Sequence, residues 1–432
     1  MKTSIILYAL LIAGISSAYA QISWTEHLID GTFSGAISID VGDLDGDSDI
    51  DVIGAAYNSG EVAWWENDGN ENFTKHTLVT GFAGVIFVSV GDIDGDSDTD
   101  IIGASNATGR VLLWLNNGSQ IFSPDTIATA FQGAHSVYMI DLDSDDDMDI
   151  VGAAYTIDAI HWWNNDGEDN FSEHSVTDAF DGAWTAFPAD IDGDGDIDIA
   201  GAAREADEVC WFENDGSENF TAHVIDSNFD GAHIVITSDL DGDDAMDLIA
   251  TARHANEIAW YENDGEENFT KHTITDDYAW PTFVYPCDID DDSDTDIVSA
   301  GYSANDVSWW ENDGSQNFTK RTISSSCIGA IPVTATDIDG DSDLDVAAAA
   351  YDLNDVIWYE SNATGIEHGS TGHIRGDIMG ASILTSMQQL DHLDVYTIFD
   401  ASGRVTGKDA LRPGTYFIQA DGRFIGKVVV VR

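Results

Sequence analysis

Apolar and polar stretches alternate along the chain in a fixed order of four. A short apolar stretch such as residues 86–92 (IFVSVGD) runs into an acidic nonapeptide, and small and β-branched residues such as 100–105 (DIIGAS) follow. Next comes an aromatic stretch, EVAWWENDG in its first copy and DVIWYESN in its last. After an Asn-Asp-Gly or Asn-Gly turn the unit closes with a segment such as 73–79 (FTKHTLV). Short β-branched and aromatic runs bounded by Gly-containing turns read as strands joined by hairpins, and helical periodicity is missing. The nonapeptides begin at residues 43, 92, 141, 190, 239, 288 and 337, each 49 after the last. A constant period of this length marks one supersecondary unit that must stack on copies of itself to bury a core. Four short strands per unit predict one blade per repeat, and so an all-β, seven-bladed β-propeller over residues 21–362. The aromatic stripe is then packing between blades.

The fourth strand shows how such a ring closes. It recurs after the first six aromatic strands, but the seventh, ending near Tyr359, is followed by ESNATGIEHGSTG. An orphan copy, SWTEHLI at residues 23–29, precedes the first blade. It is expected to complete blade seven and so to cover two sheet edges that would otherwise pair with other chains.

The nonapeptides read DLDGDSDID, DIDGDSDTD, DLDSDDDMD, DIDGDGDID, DLDGDDAMD, DIDDDSDTD and DIDGDSDLD, with Asp at positions 1, 3, 5 and 9 of every copy. Carboxylates at alternate positions of a tight loop form an oxygen cage for a hard divalent cation, and irregular geometry favours calcium over magnesium. Up to seven Ca2+ ions are expected. The proposed ligands are Asp43, Asp45, Asp47 and Asp51 with the Asp49 carbonyl; Asp92, Asp94, Asp96 and Asp100 with Asp98; and Asp141, Asp143, Asp145 and Asp149 with Asp147. They continue as Asp190, Asp192, Asp194 and Asp198 with Asp196, and Asp239, Asp241, Asp243 and Asp247 with Ala245. The last two sets are Asp288, Asp290, Asp292 and Asp296 with Asp294, and Asp337, Asp339, Asp341 and Asp345 with Asp343. Position 7 offers only its carbonyl, so Ala245 loses nothing there.

Charge agrees with a bound cation. Of 80 acidic side chains, 37 lie in these seven nonapeptides, and so many carboxylates in nine residues repel one another unless a cation intervenes. Seven calcium ions would move the formal charge from -65 only to about -51, which argues against nucleic acid as a partner.

The repeat resembles the FG-GAP or VCBS-type repeat and is similar to the seven-bladed propeller of integrin α subunits, with acidic loops such as DIDGDGDID at 190–198 leading into apolar strands. The resemblance covers about residues 21–362. It implies calcium in the loops on one face of the disc and ligands on the other. At loop position 6, commonly Gly in that family, only Gly195 conforms; Ser48, Ser97, Asp146, Asp244, Ser293 and Ser342 depart.

Both ends of the chain read differently. Residues 1–20 carry Lys2, an apolar run and a small-residue Ala18-Tyr19-Ala20 end, the pattern of a secretory signal peptide cleaved before Gln21. No other segment has the roughly 18 uninterrupted apolar residues of a membrane span. The last 70 residues hold 7 basic and 7 acidic side chains, which marks a boundary after the acidic repeats. A polar linker at 363–382 leads into residues 383–432, where strand and turn signals suggest a small β-sandwich. The stretches YTIFDASGRV, LRPGTYFI and GKVVVVR resemble the C-terminal sorting domain of type IX secretion, which implies export machinery as a partner and a bacterial outer surface as the location. The alternative is an ordinary terminal β-domain. The three cysteines, Cys210, Cys287 and Cys327, read as buried thiols. Arg375-Gly376-Asp377 and the Asn-Phe-Thr or Asn-Phe-Ser triplets read as chance and as blade turns.

Nucleophile elbows, zinc-binding His pairs and phosphate loops are all missing. Chemistry is left to residues that break the repeat. On the face opposite the loops, where the fourth strand turns into the next blade and the second into the third, these are His135, Trp184, Arg204, His233, Arg253, His254 and Trp280. This aromatic and basic group on an acidic body suits a glycan or protein ligand. The reading is a monomeric, secreted, calcium-loaded binding or adhesion module; the alternatives are a lyase or hydrolase acting on carbohydrate, or a structural surface-layer protein. A pocket joining His135, His233 or Arg204 to an unliganded carboxylate would favour the enzyme.

Overall fold

The structure is a computed structural model that describes residues 22–167 and 170–362 and the strand segments 397–400, 405–406, 414–420 and 423–430. The signal-peptide reading, the linker and the Arg375 triplet lie outside the described residues.

Residues 22–362 form seven four-stranded antiparallel sheets, and no helix occurs among the described residues. In blade one, Ala36–Gly42, Asp51–Ala56, Glu61–Asn67 and Phe73–Val79 run in order from the axis outward. Predicted and observed strands agree to within a residue. Blade seven is completed by the N-terminal strand Trp24–Asp30, which pairs antiparallel with Asp355–Ser361 from Trp24↔Ser361 to Asp30↔Val356. His27 stacks on Trp358 with ring centroids 4.4 Å apart, and its Nε2 lies 2.8 Å from the Glu360 carboxylate. The ring closes as expected.

Period-two alternation explains how one strand serves two interfaces. Trp64 and Trp65, both about 1% exposed, are neighbours in the third strand and so point to opposite faces. Trp64 packs between blades one and two with Phe82 and Val85, whereas Trp65 packs between blades seven and one with Phe33 and Ile338. Between them runs a second strand buried at every residue. A side chain at Gly54 would meet Trp65 and Phe33 at about 3.0–3.1 Å, so the place is tight, and the other blades hold only Gly, Ala or Ser there. The small residues thus sit one layer out from the axis, and the first strands line it.

A further series was not read from the sequence. Phe33, Phe82, Phe131, Phe180, Phe229 and Tyr278, again 49 apart, each set an edge against the aromatic of their own blade's third strand, as Phe33 does on Trp65 at 4.9 Å and 85°. Cys327 holds this position in blade seven, so its burial fills a place built for a ring. Cys210 is likewise buried, while Cys287 is half-buried.

Residues 364–432 form a separate unit, whose described strands make one antiparallel sheet in the order Val405–Thr406, Thr397–Asp400, Gly414–Ala420, Arg423–Val430. The second layer expected of a sandwich falls outside the described residues.

Candidate functional site

Each acidic nonapeptide is the hairpin between the first and second strands of its blade. In the first copy Asp43 caps the turn, its Oδ1 accepting from the Gly46 amide at 2.7 Å and its Oδ2 from the Ser48 amide at 3.0 Å. Asp45 and Asp47 accept the amides two residues on, at 3.2 and 3.0 Å. So tight a turn needs left-handed backbone at position 6, where Ser48 has φ 78°, Asp146 74° and Gly195 97°. It needs it at position 4 too, a demand the sequence reading missed: Gly holds it in five copies, and Ser144 and Asp291 adopt φ 61° and 59° in the others.

Position 9 belongs to the fold as much as to the cage. Asp51 is fully buried, and its two oxygens accept the Leu44 amide at 2.9 Å and the Asn67 amide at 2.8 Å. Asp100, Asp149, Asp198, Asp247, Asp296 and Asp345 repeat the arrangement. Burial pushes these carboxyls up, to about 7 at Asp51 and about 9 at Asp296. Asn67 in turn donates from Nδ2 to the Ile338 carbonyl in the loop of the preceding blade, at 3.1 Å. Asn116, Asn165, Asn263 and Asn312 reach the Leu44, Ile93, Ile191 and Leu240 carbonyls in the same way.

The loops can hold divalent metal ions. In Asp43–Asp45–Asp51, Asp92–Asp94–Asp96, Asp141–Asp143–Asp149, Asp190–Asp192–Asp194 and Asp239–Asp241–Asp247, one oxygen from each acid lies within 4.8 Å of the others. Two position-3 oxygens, Asp143 Oδ1 and Asp290 Oδ1, are buried without any hydrogen-bond partner, as ligand atoms awaiting a cation would be. Position 7 lies apart from these groups. The Asp49 carboxylate leans over Gly69, where a Cβ would sit 2.4 Å from it, and the same holds for Asp98, Asp147, Asp196 and Asp294. At Gly265, opposite Ala245, that space is open.

At the other end of the disc the first strands enclose an axial cavity of about 810 Å³. A six-residue second strand spans about 20 Å, and Arg204 and Arg253 follow such strands at the end remote from the loops. His135, Trp184 and His233 do not lie in turns as expected; they belong to the first strands of blades three, four and five, because the alternation that fills the core there also aims a residue at the axis. The structure brings them together. Trp184 lies between the two imidazoles, 3.9 Å from His135 and 4.6 Å from His233. Arg204 lies over Trp184 at 5.0 Å and Arg253 over Trp280 at 3.7 Å. His254 stands outside this group: it is exposed, with Nδ1 3.3 Å from Asp230.

Burial decides the charges in the cavity. It pushes His135 down to about 4 and His233 well below the usual imidazole range, so both are neutral, and it lowers Arg253 to about 10 with Arg204 adding to the effect. His135 Nδ1 lies 2.9 Å from the Gly133 carbonyl. Asp40, unforeseen in the sequence, lines the same cavity, but its carboxylate accepts the Val41 and Val90 amides at 2.9 and 3.1 Å. Asp40 thus shares the cavity with His135, Arg204 and His233, but among the described residues no carboxylate bonds to any of the three.

Blades closed by an N-terminal strand, with an acidic loop on each, define a repeat propeller with metal-capable loops. The sequence matches the FG-GAP-like repeat at residues 43–103, 92–152, 190–250, 239–299 and 288–348, more than half of the chain, and the protein belongs to that family. A comparison of the sequence with curated proteins gives no match. Among solved structures, streptogramin B lyase is similar at 14% identity over 80% of this chain and 100% of its own, with a TM-score of 0.58. Virginiamycin B lyase from Staphylococcus aureus gives 14% over 78% and 99%, with a TM-score of 0.57. BBS1N, solved in complex with ARL6DN, gives 10% over 78% and 96%, with a TM-score of 0.54. At these identities the likeness is one of fold alone.

Proposed function

We propose that the protein is an exported, calcium-loaded propeller that captures a protein or glycan ligand in its axial cavity and acts as a binding or adhesion module at the cell surface. The observation that carries this reading is the cavity itself. Residues that break an otherwise regular repeat converge there, at the end of the disc remote from the acidic loops. Calcium is the ion proposed, because carboxylates and a carbonyl in irregular loops suit its coordination better than that of magnesium. Asp43, Asp45, Asp47 and Asp51, with the Asp49 carbonyl, would hold it in blade one, and the matching residues would do so in the others. Its part is structural: it neutralises crowded carboxylates and fixes the loops. The N-terminal apolar segment and the sorting-like C-terminal sequence support export and surface attachment.

Two measurements on the full chain test the reading. Because an ion bound only by the folded state stabilises it through mass action, excess EDTA should lower the melting temperature by more than about ten degrees, and calcium should restore it better than magnesium. An unchanged melt removes the metal assignment. A protein and glycan binding screen should yield ligands lost in the triple variant Trp184→Ala, Arg204→Ala, Arg253→Ala at unaltered calcium-dependent stability; binding retained by that variant places the ligand elsewhere.

A further inference from the structure

Of the seven Lys and Arg side chains described in this acidic propeller, Arg110 lies over the Phe82 ring away from the axial cavity, and the other six fall into two groups. Lys75, Lys271, Lys320 and Arg321 each have a carboxylate partner within about 3.3 Å. Arg204 and Arg253 have no ion pair among the described residues, although 80 acidic side chains are available to the chain. The Nε atoms of both are buried with no hydrogen-bond partner, and so is Nδ1 of the nearly inaccessible His233. Three orphaned nitrogens on residues that line one cavity are costly, since each buried unsatisfied polar group costs on the order of 1–3 kcal/mol. The two guanidinium N–H groups among them suit a ligand that supplies an acceptor.

The walls around these nitrogens are aromatic. Trp280 adopts φ 58° at the position where the other six blades have glycine, so a strained backbone is kept in order to place an indole at the mouth. Arg253 lies against its face, and Tyr302 meets it edge-on at 5.2 Å. Outside this ring the charge reverses. Exposed Glu205 accepts the Tyr155 hydroxyl at 2.6 Å, and exposed Asp352 the Tyr302 hydroxyl at 3.4 Å.

We infer that the cavity takes the acidic terminal sugar of an otherwise neutral saccharide. The carboxylate would lie between the Arg204 and Arg253 guanidiniums and the sugar ring against Trp280. A guanidinium fork matches a carboxylate, and an indole face matches the apolar face of a pyranose. The acidic rim repels further negative charge, so a polyanion is disfavoured even though its end unit would fit. This inference rests on the binding-module reading and adds the chemical class of the ligand.

Calorimetry on the calcium-loaded full chain tests it with three probes: a disaccharide ending in glucuronate, its glucose-ended counterpart, and polygalacturonate. A charge-assisted contact predicts that the glucuronate probe binds at least about tenfold more tightly than the neutral one. Arg204→Gln or Arg253→Gln should erase that preference without changing the melt, and Arg253→Lys should restore it only in part. Equal binding of the two disaccharides overturns the anion site and leaves the binding module standing. Tighter binding of polygalacturonate overturns the selection by the rim. If no saccharide binds while the broader screen finds another ligand, the saccharide class is wrong; if that screen is also empty, both readings fall.

Discussion

Replacing Trp280 by glycine should barely weaken the fold. The indole contributes a cation–π contact with Arg253 at 3.7 Å, worth about 0.5–2 kcal/mol, and an edge contact with Tyr302, worth about 0.5–1.5 kcal/mol. Glycine adds about 0.5–1 kcal/mol of unfolded-state entropy. Against these losses stands the relief of a left-handed tryptophan at φ 58°, about 1–2 kcal/mol. The backbone is already shaped for glycine: the Trp280 amide donates to Asn256 Oδ1 at 3.0 Å and its carbonyl accepts from the Tyr302 amide at 2.9 Å, as Gly35 does with Asn354 and Tyr57. At mid-range values the net loss should therefore be about 1.5 kcal/mol, whereas truncating the fully buried Trp64 to alanine should cost about 3–5 kcal/mol. The sharper comparison is with Trp280→Ala, which loses the same contacts but keeps the strain. It should be less stable than Trp280→Gly by about 1 kcal/mol, the reverse of the usual order in strands. Guanidinium unfolding at saturating calcium, read at constant m-value, measures all three. A glycine variant as damaged as Trp64→Ala, or an alanine variant more stable than the glycine one, would refute the idea that strain is held here for binding.

A chain beginning at residue 32 loses the ladder from Trp24↔Ser361 to Asp30↔Val356 and the His27–Trp358 stack, so it should aggregate or melt broadly in light scattering; a monomer with the full-length melt would disprove that this strand closes the ring. Burial raises Asp40 to about 6 from the ordinary 3.8, so the stability linked to this group is complete below about pH 4 and is lost as pH rises through 6. Because Asn can accept only one of the two amides, Asp40→Asn should change stability by the same lost bond at every pH, but relative to the parent it should gain about 1–3 kcal/mol between pH 4 and pH 8; a gap of equal size at both values would contradict the sign.

The blades were legible because period, turn residues and alternation are local. The closing strand could be found because one copy of the fourth segment is missing at Tyr359 and a spare one stands at Trp24. The Phe33 series escaped because a single aromatic every 49 residues makes no local pattern; aligning the repeats by column would have exposed it, and with it the place of Cys327. The same alignment would have shown glycine in six blades where Trp280 stands in blade six. The cavity was only half legible. His135, Trp184 and His233 were recognised as departures, but their meeting depends on the closed ring, which brings blades three to five round to one mouth. Asp40 could not be separated by sequence from the many carboxylates of the chain, since only its place on the axial lining distinguishes it.

The asparagines that reach from one blade to the loop of the blade before would make any metal uptake by the proposed sites a property of the ring. Asn67 takes its own position from Asp51 and holds the Ile338 carbonyl, so ordering the loop of blade one helps to order that of blade seven. A link of about one hydrogen bond would raise a neighbouring site's affinity by roughly fivefold, and the dependence is reciprocal. Calcium should therefore fill the disc with positive cooperativity, steeper than seven independent sites allow. Asn214 donates to Ile197 of its own blade, and blade seven has Ser361 at the asparagine position, so the coupling should be weakest between blades three and four and between blades six and seven.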